Sequence, residues 1–209
     1  MAIEPLTLKT SDGLALEAEL HAPDDAWAGA VIAHPHPQFG GTMRSIVIGT
    51  LFAALPQAGV AALRFNFRGV EGSEGTFDDG WGERHDVVAA LDALHPIVEG
   101  LPLVLAGWSF GADTSLAVVD ARAAGWFCAA PPLRHPDDLA AADDPRPKLL
   151  AIPAHDQYMP PDEAARVTAS WKNARLETVA GADHYFVGRT DRLAPLCLEL
   201  LEQLRDSQR

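Results

Sequence analysis

The chain has 209 residues, of which 48% are hydrophobic and 22% are charged, a composition typical of one globular domain with a full core. Its formal net charge of −13 argues against nucleic acid or an anionic membrane surface as a partner. We therefore expect a single domain over residues 1–209 that binds neither nucleic acid nor membrane.

The N-terminal sequence MAIEPLTLKTSDG lacks the basic and apolar segments of a signal peptide, and no apolar run reaches the roughly 20 residues of a membrane span. Cys128 and Cys197 are the only cysteines, and their spacing suits neither a disulfide framework nor a zinc site, so we interpret them as core residues. These features predict a cytoplasmic protein without a cofactor. The sequence leaves open whether the chain forms a homodimer.

Two short alternating segments, residues 3–9 and 14–21, open the chain around the turn signal Ser11-Asp12-Gly13, which predicts an antiparallel β-hairpin. Continuous apolar runs, typical of parallel strands buried on both faces, then follow at residues 30–33, 60–65, 103–106, 127–130 and 149–152. Segments with helical spacing alternate with them at 46–58, 87–94, 112–123, 163–171 and 193–204. This alternation predicts an α/β fold with helices on both faces of the sheet.

A candidate nucleophile follows the run at 103–106, where Gly107-Trp108-Ser109-Phe110-Gly111 leads into a predicted helix. The pattern G-x-S-x-G between a strand and a helix is typical of a nucleophile elbow, a sharp turn at which flanking side chains would clash. The alternative is a glycine-rich turn whose serine only caps the helix. Ser109 is therefore the predicted nucleophile if a base and an acid accompany it.

A serine hydroxyl needs a general base, and the base needs an orienting carboxylate. Asp156 comes just after the run at 149–152, and His184 lies in the glycine-containing loop before the C-terminal helix. This order, serine then acid then histidine, is the one expected for a nucleophile elbow of this type. Asp183 as the acid, Asp156 as a simple cap and His155 as the base are the alternatives that we weigh against this assignment.

The oxyanion of an acyl-transfer reaction needs N–H donors, one of which is expected from Phe110, the residue after the nucleophile. The loop after residues 30–33 reads HPHPQFGG, and because Pro35 and Pro37 lack an N–H, His36 is the predicted second donor. His34 and His36 together could ligate a metal, but the sequence shows no third ligand, and we predict none.

The segments HPHPQFGGTM, LRFNFRGVEGSEGTFDDG, LAGWSFGA, IPAHDQYMPP and GADHYFVG resemble those of a small bacterial α/β-hydrolase family related to dienelactone hydrolases. The resemblance covers nearly the whole chain. It implies an eight-stranded sheet, a Ser109–Asp156–His184 triad, and an oxyanion hole from His36 and Phe110. Dienelactone hydrolases use a cysteine nucleophile, so their lactone substrate does not follow for a chain with serine at the elbow.

The resemblance also places Arg68 beside the site, where it would hold either a substrate carboxylate or its own loop.

Only about 20 residues separate the runs at 127–130 and 149–152, enough for a short helix near 137–142 but not for a lid domain. Phe39, Trp81, Tyr158 and Tyr185 are aromatic residues on the rim loops, and each of them would either contact substrate or pack within its own loop. The predicted function is hydrolysis of small or medium esters or thioesters; a peptidase or amidase, or a non-catalytic binding protein, are the alternatives.

Overall fold

The computed structural model, which describes residues 2–207, begins with the predicted antiparallel hairpin and continues into one eight-stranded sheet. Residues 1, 208 and 209 of the predicted domain lie outside this range. The strands are β1 (Glu4–Lys9), β2 (Ala15–His21), β3 (Ala28–Ala33), β4 (Val60–Phe65), β5 (Leu103–Trp108), β6 (Gly125–Ala129), β7 (Lys148–Pro153) and β8 (Ala174–Val179).

The strand order is β1-β2-β4-β3-β5-β6-β7-β8, with β2 antiparallel to β4 and every later pair parallel. The helices are α1 (Ile46–Gln57), α2 (Glu83–Leu94), α3 (Phe110–Leu116), α4 (Pro161–Val167) and α5 (Leu193–Ser207). The predicted fold class, a mostly parallel sheet with an N-terminal hairpin and helices around it, is thus confirmed. No helix within residues 2–207 is long and apolar enough to cross a bilayer.

The central strands are buried on both faces because each face carries its own apolar layer. All six residues of β3 and all six of β5 are buried. One layer holds Val31 and Leu105 among its members, and the other holds Ile32 and Val104, as the alternation of side chains along a strand requires. Cys128 and Cys197 are free thiols in these layers, as we expected.

Helix α3 ends at Leu116, whereas the sequence predicts a helix to residue 123. The indole N–H of Trp126 donates to the carbonyls of Ser115 and Val118, at 3.0 and 3.2 Å, and so satisfies groups that a further helical turn would have used. The chain then reaches β6 by an irregular path. This tertiary contact could not be read from the helical spacing of residues 112–123.

The connection between β6 and β7 contains two short 3₁₀ turns, Pro136–Asp138 and Ala140–Asp143, in place of the short helix predicted near 137–142. Its shortness leaves no lid domain above the sheet. The loops that follow β3, β5, β7 and β8 all leave from the carboxyl edge of the parallel strands, the edge at which ligands bind in open α/β sheets.

Candidate active site

Ser109 stands between β5 and α3 with backbone angles of φ +55° and ψ −121°, a region that residues other than glycine seldom adopt. Its N–H donates to the carbonyl of Ala129 at the end of the neighbouring strand, 2.9 Å away. The turn is therefore strained and held from β6, and it presents the Ser109 hydroxyl at the carboxyl edge of the sheet.

The two glycines of the elbow are required by close backbone contacts. A Cβ on Gly107 would lie 2.3 Å from the carbonyl oxygen of Gly111, and one on Gly111 would lie 2.3 Å from that of Ala33. Real Cβ atoms do not approach backbone oxygens this closely. Glycine is therefore required at both positions of G-x-S-x-G, as the pattern predicts.

A continuous hydrogen-bond chain joins Ser109, His184 and Asp156. The Ser109 Oγ lies 2.9 Å from His184 Nε2, and His184 Nδ1 lies 2.8 Å from Asp156 Oδ2. With Nδ1–H donating to the carboxylate, Nε2 is left to accept the hydroxyl proton of Ser109. The structure brings together the three residues that the sequence places in this order.

Asp156 is held by its own loop, which fixes the direction of its carboxylate. Its Oδ1 accepts the N–H groups of Tyr158 and Met159, at 2.8 and 3.2 Å, while the side chain is fully shielded from solvent. Asp183, the alternative acid, instead accepts the N–H groups of Tyr185 and Val187. It therefore caps a local turn and leaves Asp156 as the carboxylate on His184.

The backbone N–H groups of His36 and Phe110, which lie near Ser109, have no hydrogen-bond acceptor among residues 2–207. The His36 ring packs against the rings of Phe39, Phe77 and Phe110, with centroids 4.6 to 5.0 Å apart. Unsatisfied donors beside a candidate nucleophile are what an oxyanion hole needs. These are the two donors that the sequence predicts.

Comparison with known proteins gives no matching family model. The chain is 32% identical over 179 residues to an uncharacterized protein of Rickettsia prowazekii, covering 79% of this chain and 74% of the relative. A solved α-β serine hydrolase homologue from Coxiella burnetii is 32% identical, with 98% of each chain covered and a TM-score of 0.84. The chain belongs to the α/β-hydrolase superfamily.

A second similar structure, described as a serine hydrolase without a lid from Xanthomonas campestris, supports the same architecture for this α/β-hydrolase. It is 27% identical, with a TM-score of 0.83 over 97% of this chain and 95% of that one. The short β6–β7 connection agrees with that description. The expected absence of a lid domain is therefore confirmed.

The hydrolase has a cavity of about 730 Å³ into which Ser109, His184 and the loop at residues 34–41 open. We call this loop the oxyanion loop after its expected role. Phe39, Trp81, Tyr158 and Tyr185, the four predicted rim aromatics, all line it and are 46 to 79% exposed. Such large apolar surfaces are costly to leave in water and are typical of a site that an apolar ligand covers.

Arg68 does not line this cavity. Its guanidinium is bound by Asp86 and Asp12, with shortest distances of 2.8 and 3.0 Å, and its side chain is only 7% exposed. Gly82 at the start of α2 leaves room for it, since a Cβ there would lie 2.2 Å from an Arg68 nitrogen. The expectation that Arg68 contacts substrate is thus corrected: it holds its own loop against α2, the alternative that the sequence also allowed.

The His34 side chain connects the loop after β3 to the loop after β4 by hydrogen bonds. It is fully buried, its Nδ1–H donates to the Pro35 carbonyl at 2.6 Å, and its Nε2 accepts the N–H of Phe67 at 3.0 Å. Burial lowers the pKa of His34 to about 4, so the ring is neutral. Both ring nitrogens are already engaged, and no cluster of three metal-ligating side chains occurs within the described range.

Sequence reasoning missed one contact that bears directly on the site. The indole N–H of Trp108 donates to the backbone carbonyl of His184 at 3.0 Å, and the rings of Tyr158 and Tyr185 pack edge-on against the imidazole. The G-x-S-x-G pattern does not predict which side chain stands before the serine or what that side chain contacts. Only the position of the His184 loop in space shows what Trp108 does.

Proposed function

We propose that this α/β-hydrolase cleaves small or medium carboxylic esters or thioesters through an acyl-enzyme on Ser109. The observation that carries the proposal is the unbroken chain Asp156–His184–Ser109, which ends in a strained serine on the cavity wall beside two N–H groups without acceptors. Each part matches a need of acyl transfer: a base, a group to orient it, and donors for the developing oxyanion.

In the first half-reaction, Ser109 Oγ attacks the carbonyl carbon while His184 Nε2 takes the hydroxyl proton. The negative charge that forms on the carbonyl oxygen is received by the N–H groups of His36 and Phe110. Asp156 stabilises the imidazolium that results. Collapse of the tetrahedral intermediate breaks the bond to the alcohol or thiol, which leaves with the proton from His184.

In the second half-reaction, water attacks the acyl group while His184 takes one of its protons. The same donors hold the second oxyanion, and its collapse breaks the bond to Ser109 Oγ. The carboxylic acid is released, and the His184 proton returns to Ser109. Ester and water have then become acid and alcohol, with the enzyme unchanged.

The size of the cavity and its exposed aromatic rim support acyl or alcohol groups of modest length. The cavity volume of about 730 Å³ lies within the usual range for small-molecule sites, and the short β6–β7 connection provides no cover for a long lipid chain. The proposed kinship with dienelactone hydrolases adds nothing about the substrate, since the elbow carries serine.

A fluorophosphonate probe tests the proposal directly, because it phosphonylates only an activated serine. We expect the wild-type chain to be labelled, Ser109→Ala and His184→Ala to be unlabelled, and the exposed serine variant Ser170→Ala and the exposed histidine variant His155→Ala to be labelled as wild type. Mass spectrometry of the trapped intermediate with 4-nitrophenyl acetate should place the acetyl group on Ser109. An unlabelled wild-type chain that turns over no ester would contradict the proposal and favour a non-catalytic binding protein.

A further inference from the structure

Two arginines, Arg84 and Arg134, line the same cavity as Ser109 and His184. Arg84 lies in the first turn of α2, and Arg134 lies in the connection between β6 and β7. They approach the cavity from different parts of the chain. No part of the proposed ester hydrolysis uses either of them.

Arginines without a carboxylate partner are a minority in the described part of this chain, whose full sequence has 29 acidic residues and 16 basic ones. Of the twelve arginines within residues 2–207, eight have a carboxylate oxygen within 4.0 Å: Arg44, Arg64, Arg68, Arg122, Arg146, Arg166, Arg175 and Arg205. Arg84 and Arg134 are two of the four that lack one, with Arg189 and Arg192. Half of the unpaired arginines in the described range therefore lie in the catalytic cavity.

Both arginines are held in place, Arg84 through its side chain and the exposed Arg134 through its backbone. The Arg84 guanidinium lies 4.2 Å from the centre of the Trp81 ring, and its Nε is buried without a hydrogen-bond partner. The Arg134 loop is anchored by Asp113, whose carboxylate accepts the N–H groups of Leu133 and Arg134, each at 3.1 Å. The backbone is thus held while the Arg134 guanidinium keeps its donors available.

The carboxylates that line the cavity do not neutralise these arginines by contact. The Asp113 oxygens are occupied by the two loop N–H groups, and Asp79 and Asp138 are exposed with no cation within 4.0 Å among residues 2–207. Burial lowers the pKa of His36 in the oxyanion loop, the charge of Arg134 lowers it further, and the charge of Asp79 raises it. Arg134 is therefore a cation that acts on the reacting end of the cavity, against the opposing charge of Asp79.

We propose that the substrate of this hydrolase carries an oxyanion, a carboxylate or a phosphate, that binds the Arg134 guanidinium, with Arg84 as a second cation in the same cavity. The inference rests on the proposed ester hydrolysis and names its substrate class: esters or thioesters with an anionic group and an apolar body. A guanidinium presents two parallel N–H donors, which match the spacing of two oxygens on either anion. The exposed aromatic rim would cover the apolar body.

Matched anionic and neutral substrates test whether a negative charge is preferred on the leaving-group side or on the acyl side of the ester bond. On the leaving-group side we would compare 4-acetoxybenzoate, 4-acetoxyphenyl phosphate and the neutral 4-acetoxybenzamide. On the acyl side we would compare the 4-nitrophenyl monoester of adipate, whose second carboxylate is free, with the same ester in which that carboxylate is a primary amide. On at least one side, we expect wild-type kcat/KM to favour the anion about tenfold or more, the scale of one charge-assisted hydrogen bond, mainly through KM. A preference for the carboxylate over the phosphate, or the reverse, identifies which anion is bound.

Arg134→Gln should abolish this preference by lowering kcat/KM for the anionic partner, and Arg84→Gln should reduce it in part. Arg192→Gln, which removes an exposed unpaired arginine from outside the cavity, should leave the preference intact. The same ratio of anionic to neutral kcat/KM in wild type and Arg134→Gln, on both sides of the ester bond, would overturn the proposal.

Binding measured without turnover separates this inference from the proposed function. Calorimetric titration of Ser109→Ala with the same compounds should show tighter binding of the anionic members, and the double variant with Arg134→Gln should lose that difference. If the wild type cleaved none of the esters but this binding difference remained, the anion subsite would stand and ester hydrolysis would fail. If the esters were cleaved but the anionic and neutral members bound equally well with and without Arg134, ester hydrolysis would stand and the anion subsite would fail.

Discussion

The indole N–H of Trp108 donates to the backbone carbonyl of His184, 3.0 Å away, so the residue before the proposed nucleophile anchors the loop of the proposed base. We expect Trp108→Phe to remove this bond and loosen the position of the imidazole against Ser109. The value of kcat for a neutral ester should fall about tenfold, because proton transfer depends on that alignment. Steady-state kinetics with 4-nitrophenyl acetate would measure it.

Trp126→Phe is the matched control, since its indole N–H also donates to backbone carbonyls, those of Ser115 and Val118, but at the far end of α3. It should lower the free energy of unfolding by about 1 kcal/mol and leave kcat per folded molecule unchanged. Equal losses of kcat in the two variants would mean that Trp108 acts only through general stability.

Matched substitutions of Asp156 and Asp183 distinguish the proposed acid from a local cap. Asp156→Asn should reduce kcat by several orders of magnitude, because an amide donor facing Nδ1 favours the wrong tautomer of His184. Asp183→Asn keeps the oxygen that accepts the Tyr185 and Val187 N–H groups, so kcat should change less than threefold. A larger loss in Asp183→Asn would reverse the assignment. Pre-steady-state rates of acylation would make the comparison independent of deacylation.

Gly41 closes the oxyanion loop, and its N–H donates to the carbonyl of His36. A Cβ on Gly41 would lie 2.1 Å from the Pro35 oxygen, so Gly41→Ala must displace the segment that carries the His36 N–H. We expect kcat to fall about a hundredfold, the scale of one lost oxyanion donor. Gly49→Ala in α1, where the nearest atom to the new Cβ would be 3.8 Å away, should keep full kcat and unfold at a slightly higher temperature. Full activity of Gly41→Ala would refute this role of the loop.

His34 predicts a pH dependence of stability. Its pKa is lowered by burial from 6.5 to about 4, so the neutral ring, which accepts the Phe67 N–H, is favoured in the folded state. The resulting stability is fully present above about pH 6.5 and is lost as the pH falls toward 4, by a total on the order of 3 kcal/mol.

Urea unfolding at pH 7.5, 5.5 and 4.5 would test this prediction. His34→Gln should be less stable than the wild type at pH 7.5 and should show a shallower loss between pH 6.5 and 4.5. His155→Gln, which changes an exposed ring, should follow the wild-type curve. Parallel curves for the wild type and His34→Gln would exclude the buried ring as the source of the pH dependence.

The elements and the order of the site residues could be predicted because they depend on local patterns. Buried parallel strands give continuous apolar runs, and the nucleophile elbow needs Gly107 and Gly111 within five residues of chain. The role of Arg68 could not be predicted, because its partners Asp12 and Asp86 are distant in sequence and meet it only in the folded chain.

The contact between Trp108 and His184 and the position at which α3 ends could not be predicted either, because both depend on residues that meet only in the folded chain. The Trp126 indole N–H, which donates to the Ser115 carbonyl of α3, follows the helix in sequence but returns to it through β6. Arg134 also had no local signal. A free arginine differs from a paired one only in what surrounds it, and that is a property of the assembled cavity.

The short connection between β6 and β7 has a consequence for how substrate is captured. With no lid domain to open, a substrate meets walls that are already in place, and its arrival depends on diffusion and on the charges around the mouth. Selectivity is then set by fixed side chains instead of by a closing motion. For the proposed ester hydrolysis, we therefore expect that the range of accepted substrates can be changed one wall residue at a time, without the compensating changes that a moving lid would require.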